Sequence, residues 1–254
     1  MSRKRHKGIQ TRIRSKVGKA LADYAMTADG DRLIVAVSGG KDSLALLHIL
    51  ETRKSFIPID YQLEPVFVSL GEYDDRSRLL LLESVCRTLG LRLHVIGTNI
   101  GQRLRRGNLP ESNCFHCSRW KRRALFEWAR GENICKIAFG HHRDDIIETA
   151  LLNLFYGSNF STMVPHQQLF SGSISIIRPL AYLDEEEIIS YCGQKGLPID
   201  LPSCRFAASD QKRIRIRNLL KQLQDDNPKI KGSIFHALKN VRTDYLLNVG
   251  YRRS

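Results

Sequence analysis

With 254 residues, 42% of them hydrophobic, the chain is long enough to bury a sizeable core, as one large domain or as a domain with an appendage. A formal net charge of +14 and a sequence pI of about 9.7 call for a polyanionic partner, nucleic acid before an acidic membrane surface. No apolar run approaches the ~20 residues of a membrane-spanning helix, and the basic start lacks the apolar segment of a secretion signal, so the composition reads as a soluble, cytoplasmic protein with no membrane partner.

Residues 1–19 carry Arg3, Lys4, Arg5, Lys7, Arg12, Arg14, Lys16 and Lys19 and no acid, an arm suited to gripping phosphate. Its second half, continuing through Val17, Ala20, Leu21 and Tyr24, has the spacing of an amphipathic helix. Strands are expected at 33–37, 63–70, 91–96, 134–139 and 175–178. Helices are expected at 44–50, 79–89, 115–130, 144–155 and 184–194. This alternation predicts an α/β fold, a doubly wound parallel sheet with helices on both faces and ligand sites at the carboxyl ends of its strands. Three regions follow: a basic arm and helix over 1–30, the α/β core over 31–196, and, over 197–254, a linker with Pro198 and Pro202 leading to a basic helical region. Lys212, Arg213, Arg215 and Arg217 lie in that last region, where Ser209 or Asp210 is placed to cap a helix.

Between the first strand and its helix stands Ser38-Gly39-Gly40-Lys41-Asp42-Ser43. Two glycines let backbone amides approach a ligand without a Cβ in the way, and the new helix aims unpaired N–H groups and the positive end of its dipole at that ligand. The arrangement suits phosphate; the plain alternative is a tight turn capped by Asp42 or Ser43. A Walker-type loop is excluded because Val35 and Asp42 stand where it requires glycine and Ser or Thr, and a Rossmann fingerprint because the glycines are adjacent. A second constellation, Gly140-His141-His142-Arg143-Asp144-Asp145, follows the fourth strand. Its paired carboxylates repel each other unless a cation lies between them or a base offsets them; magnesium brought by ATP is one such cation. The alternative is a helix cap beside solvated histidines.

The six cysteines form no evenly spaced disulfide framework. Cys86, Cys135 and Cys192 fall within expected helix or strand among apolar neighbours and read as small buried hydrophobes. Cys114 and Cys117, in a loop entering a helix, are spaced to face one metal, and Cys204 is the remaining loop cysteine. Three cysteines suit an iron-sulfur cluster with one iron left open; a zinc site completed by His116, or a redox dithiol without Cys204, are the alternatives.

The string 38–43 resembles the SGGxDS loop of the ATP pyrophosphatase superfamily. Together with Cys114-x-x-Cys117, residues 140–145, Glu148-Thr149, Leu151-Leu152-Asn153 and Arg178-Pro179-Leu180, it resembles the tRNA 2-thiocytidine synthetases (TtcA type) in order and rough spacing over 33–220. The resemblance implies an ATP pyrophosphatase domain over 31–196 and a 4Fe-4S cluster on Cys114, Cys117 and Cys204. It implies exchange of a pyrimidine C2 oxygen for sulfur, at cytidine 32 of tRNA, with ATP and magnesium as cofactors. It further implies that Ser38, Gly39, Gly40, Lys41, Asp42 and Ser43 bind the phosphates, with Gly140, His141 and Asp144 completing the nucleotide site. Asp145 would place magnesium or take part in proton transfer, and Lys121, one helical turn after Cys117, would be catalytic, as at the same offset in 2-thiouridine synthetases. The sulfur donor would be sulfide or a cysteine desulfurase, and a homodimer is implied by some relatives. Two features depart from the pattern: Cys204 is followed by Arg205-Phe206 rather than a nearby cysteine, and the basic 212–217 segment is unfamiliar. A lysidine synthetase shares the loop and the His-His-x-Asp-Asp run but gives no reason for the three cysteines; a zinc-stapled RNA-binding protein without thiolation activity is the reading outside enzymology.

Overall fold

The computed structural model describes residues 2–74, 76–106, 113–199 and 210–246. Cys204 and the linker around it lie outside the described residues. The chain divides into two compact units, residues 1–145 with 163–209, and residues 146–162 with 210–254.

The first unit is built on six strands: β1 (Asp31–Ala36), β2 (Tyr61–Val68), β3 (His94–Ile96), β4 (Lys136–Ala138), β5 (His166–Leu169) and β6 (Ile174–Ile177). Their order is β3-β2-β1-β4-β6-β5, parallel throughout except for the β5–β6 pair. The helices between them are α1 (Ser2–Asp23), α2 (Lys41–Arg53), α3 (Arg76–Thr88), α4 (Ile100–Arg106), α5 (Asn113–Gly131), α6 (Arg143–Tyr156) and α7 (Glu185–Lys195). Strand alternation separates two cores. Leu33 and Val35 of β1 and Leu63 and Phe67 of β2 join α1, α2, α3 and α7 on one face. Ile34, Val66 and Val68 join α4 and α5 on the other. A sheet covered on both sides is what apolar strands with a period of two require when neither face can meet water.

Several elements differ from expectation. The basic arm is helical from Ser2 rather than from its middle, because Ile13, Val17, Ala20 and Leu21 form a fully buried stripe that fixes the register of the whole helix. Four of its cations serve the fold: Arg12 Nε and Lys16 Nζ meet the Glu187 carboxylate of α7 at 2.9 and 2.8 Å, Lys19 pairs with Asp23, and Arg14 lies over the Phe56 ring. α4 and the antiparallel β5 were not expected at all. β5, with the sequence His-Gln-Gln-Leu, has little β-branched or apolar signal and is a strand only because β6 offers it a ladder edge. Cys86 and Cys192 are buried, and burial pushes both thiols up to about 11, whereas Cys135 is exposed at the entrance to β4 and is no core residue. No described helix is long and apolar enough to cross a membrane.

The second unit holds the end of α6 together with α8 (Gln211–Asp226) and α9 (Ile230–Ala237). Asp210 caps α8 by accepting from the Arg213 N–H. The Glu148 carboxylate, 3% exposed, accepts from Arg217 Nε at 2.7 Å and faces Arg213 Nε at 3.7 Å. Arg217→Ala removes the hydrogen bond but leaves the carboxylate buried, and is expected to cost about 1–3 kcal/mol in urea unfolding. Glu148→Gln, which removes the charge as well, is expected to cost less; equal losses would place the cost in packing rather than in the unpaired charge.

Candidate active site

The strand order reverses direction between β1 and β4: β2 and β3 extend to one side of β1, β4 and β6 to the other. At such a switch point the loops leaving the two carboxyl ends diverge and open a crevice. The 38–43 motif spans the loop after β1 and the first turn of α2, and the loop after β4 is 139–142, so topology alone brings the two motifs together. Their backbones touch: a Cβ built on Gly140 would lie 2.9 Å from the Asp42 carbonyl carbon and oxygen and 3.0 Å from the Ser43 nitrogen.

The first loop is pre-shaped by its own serines. Ser38 N–H donates to Ser43 Oγ (3.1 Å), Ser43 Oγ donates to the Gly40 carbonyl (2.8 Å), and Gly40 N–H donates to Ser38 Oγ (3.3 Å). Gly39 turns the chain at φ +87°. Gly40 is the N-cap of α2 without a side-chain cap. A Cβ there would meet only Ser38 Oγ at 3.5 Å, so nothing in the fold forbids a side chain and the glycine leaves room on the open side. This is the helix-start geometry that binds anions. Lys41 Nζ lies 2.8 Å from Glu185 and 3.3 Å from Asp42; burial works against its charge, but these carboxylates prevail and raise its pKa.

In the second loop the histidine that the sequence reading left without a role holds the centre. His142, 2% exposed, places Nε2 3.4 Å from Asp145 and 3.9 Å from Asp42, and Nδ1 3.6 Å from Asp144. Burial opposes its protonation, yet Asp144, Asp145 and Asp42 together raise its pKa. The carboxylate repulsion therefore has a built-in answer in a protonatable base. Asp144 is further engaged in accepting the Glu185 N–H at the start of α7 (2.8 Å), and Asp145 accepts the His142 N–H (3.1 Å). Burial raises the pKa of Asp42, whose Oδ1 is buried without a hydrogen bond among the described residues.

His141 behaves oppositely. Burial, and then the charge of Arg178, lower its pKa to about 4, so it is neutral at pH 7 and stacks on Phe139 at 5.6 Å. Arg178 is itself buried, donates to the Val164 carbonyl, and is lowered to about 10 by burial and by Arg122. The unfolded chain takes up a proton on His141 near pH 6.5, the folded chain only near 4. Stability that is present above pH 6.5 is thus lost as pH falls towards 4, by a contribution on the order of 3 kcal/mol. His142, raised in the fold, contributes stability below pH 6.5 that fades as pH rises through its folded value. His141→Gln should flatten the acid side of a chemical-denaturation profile and His142→Gln the alkaline side; unchanged profiles would refute both assignments.

Cys114 and Cys117 stand in the first turns of α5 rather than in a loop before it, Cys114 exposed and Cys117 partly buried against the second core. In the β3-to-β4 crossover this N-terminal end of α5 lies at the carboxyl edge of the sheet, the same edge as the two loops. Their spacing of three puts both on one helix face, and Lys121, partly exposed, lies one turn further along. Arg122, next along, faces His141 and Arg178 electrostatically. His142, Glu185 and Arg178 were missed as site residues. The run His141-His142 carried the signal for the first, whereas Glu185 enters only through a contact 144 residues away in sequence.

The PP-loop domain family matches residues 9–223. The tRNA-cytidine(32) 2-sulfurtransferase of Geotalea uraniireducens is 40% identical over 240 residues, 94% of this chain and 94% of its own length. That of Geobacter sulfurreducens is 38% identical over 244 residues, covering 95% and 94%. Among solved structures, the U34-tRNA thiolase NcsA from Methanococcus maripaludis with its 4Fe-4S cluster is similar with a TM-score of 0.75 at 20% identity, over 91% of this chain and 78% of that one. The NH3-dependent NAD synthetase of Campylobacter jejuni is similar with a TM-score of 0.51 at 14% identity, over 92% and 91%. Both likenesses speak for the fold.

Proposed function

Because the chain belongs to the PP-loop family and, within it, to the tRNA-cytidine(32) 2-sulfurtransferases, we propose that it is an ATP-dependent tRNA thiolation enzyme that replaces the C2 oxygen of cytidine 32 with sulfur. The observation that carries this reading is the contact of the 38–43 loop with Gly140 at the switch point, beside the helix that bears Cys114 and Cys117.

The chemistry needs activation first, since hydroxide or oxide is a poor leaving group from a pyrimidine. The C2 oxygen attacks the ATP α-phosphorus, the α–β anhydride bond breaks, and pyrophosphate leaves into the cradle of Ser38, Gly39, Gly40 and Ser43. Lys41 offsets its charge. A sulfur nucleophile then adds at C2 and AMP departs with the oxygen. Magnesium suits the orphaned Asp42 oxygen together with Asp145, while Asp144 is held at α7. Neutral His141, held on Phe139, forms part of the floor beside the nucleotide.

Cys114 and Cys117 fit two positions of a 4Fe-4S cluster, being thiols on one face at a helix N-terminus, with Cys204 as the third ligand. Held by three cysteines, such a cluster would supply a site for the incoming sulfur. The sulfur would come from sulfide itself or from a cysteine desulfurase. Lys121, on the same helix face, is placed to neutralise negative charge or donate a proton at the reacting base. Lys121→Ala is expected to lower thiolation about 10²- to 10⁴-fold with iron content and tRNA affinity unchanged; undiminished thiolation would remove the assignment.

The test is anaerobic purification followed by incubation with ATP, sulfide and unmodified tRNA. Iron and labile sulfide in the protein, pyrophosphate and AMP in solution, and 2-thiocytidine by mass spectrometry are expected. Colourless protein holding zinc, or lysine joined to the tRNA, would overturn the reading.

A further inference from the structure

The last turn of α6 is folded back on itself. Gly157 N–H and Asn159 N–H both donate to the Asn153 carbonyl (3.0 and 3.1 Å), and Asn153 Nδ2 donates to the Ser161 carbonyl and hydroxyl (2.9 and 3.2 Å). Ser158 holds a left-handed φ of +48°, and a Cβ on Gly157 would lie 2.9 Å from the Asn153 carbonyl oxygen. A strained residue and a required glycine thus fix the shape of a surface turn. What the turn presents is apolar: Leu154, Phe155, Tyr156 and Phe160 are 46%, 53%, 44% and 50% exposed. Four such side chains fall within seven residues of the chain, a local concentration rather than scattered singletons.

Charge decides what covers it. Lys212 Nζ lies 5.2 Å from the centre of the Tyr156 ring, at the start of the helix that continues with Arg213, Arg215 and Arg217. The unit carrying the patch has more than twice as many lysines and arginines as acids. Flat rings interleaved with cations match unpaired nucleotides, whose bases stack while their phosphates pair with the cations. An apolar protein partner would have no use for the basic surround.

We propose that Phe155, Tyr156 and Phe160 form a stacking platform for unpaired nucleotides of the tRNA substrate, with Lys212 and Arg215 holding the adjoining phosphates. The platform rests on the tRNA-thiolation reading and adds to it a second point of contact, outside the nucleotide loop. Asn153 then has a task of its own as the clasp that fixes the chain on either side of Phe160.

The experiment measures tRNA binding by the holoenzyme over a range of salt concentrations, with 2-thiocytidine formation in parallel. Phe155→Ala and Phe160→Ala should each weaken binding about tenfold without changing the salt slope. Lys212→Ala should lower the slope by about one. Phe160→Trp should bind as tightly as the parent, whereas Phe160→Leu should behave like alanine. Melting temperature and pyrophosphate release at saturating tRNA should not move. Parent-like binding by both alanine variants, or rescue by leucine as good as by tryptophan, would overturn the platform. So would a change from dimer to monomer in sedimentation that accounts for the loss, since the patch would then belong to a second copy. A parent chain that neither binds nor thiolates tRNA strikes instead at the function on which the platform rests.

Discussion

Replacing Cys117 with alanine is expected to abolish 2-thiocytidine formation while tRNA-dependent release of pyrophosphate from ATP continues within severalfold of the parent rate. The two activities draw on different parts of the molecule. On the proposed reading pyrophosphate release draws on the 38–43 cradle, whose hydrogen bonds among the described residues run within itself and to α7, not to α5. On the same reading sulfur delivery runs through the α5 thiols, and the proposed three-cysteine ligand set cannot spare a member. The variant should be colourless and lack iron, and Cys114→Ala and Cys204→Ala should match it. Because Cys117 is only partly buried at the edge of the second core, its loss should leave the fold standing. Thiolation that persists without Cys117 would remove the cysteines from the chemistry. Loss of pyrophosphate release together with thiolation would show that activation and substitution are not separable.

Gly140→Ala should do the reverse and stop the reaction at its first step. The new methyl would sit 2.9 Å from the backbone of Asp42, closer than any ordinary contact, and no flexible side chain is present to give way. Relief has to come from moving the β4 loop away from the first turn of α2. A displacement near 1 Å of a positioning element costs on the order of 10²-fold in rate, and the strain should cost about 1–3 kcal/mol in stability. Pyrophosphate release and thiolation are expected to fall together, with iron content unchanged. Gly193→Ala on α7, where a Cβ meets only Ile199 at 3.9 Å, is the control and should leave both rates alone. Full activity in Gly140→Ala would mean that the two loops need not touch.

The parts legible in the sequence are those encoded by neighbours along the chain. The apolar run before Ser38, the glycines and the helix after them are local, and so is the alternation that predicts a sheet covered on both faces. The parts that were not legible depend on distant partners. The positive run at the start of the chain looks like a phosphate grip, yet Arg12 and Lys16 are directed to Glu187. Cys135 sits among apolar letters, yet it is exposed just before β4 although its neighbour Ile134 is buried. His142 looks like a solvated neighbour of two aspartates until the fold adds Asp42 from another loop as a third. β5 becomes visible only once β6 is in place to pair with it. The three-cysteine grouping is intermediate, since two members are local and Cys204, outside the described residues, is grouped with them only by the proposed chemistry.

The anchoring of α1 on Glu187 also governs how the protein is made. Lys16 leaves the ribosome 171 residues ahead of its partner. At about 5–20 residues per second, the basic helix waits roughly 10–35 s before α7 exists to receive it. During that interval its apolar stripe of Ile13, Val17 and Leu21 has only part of its final cover, while its positive charge faces the RNA-rich surface of the ribosome. Nascent chains stalled before residue 185 should therefore expose α1 to protease or hold it against ribosomal RNA, and chains stalled well beyond α7 should protect it.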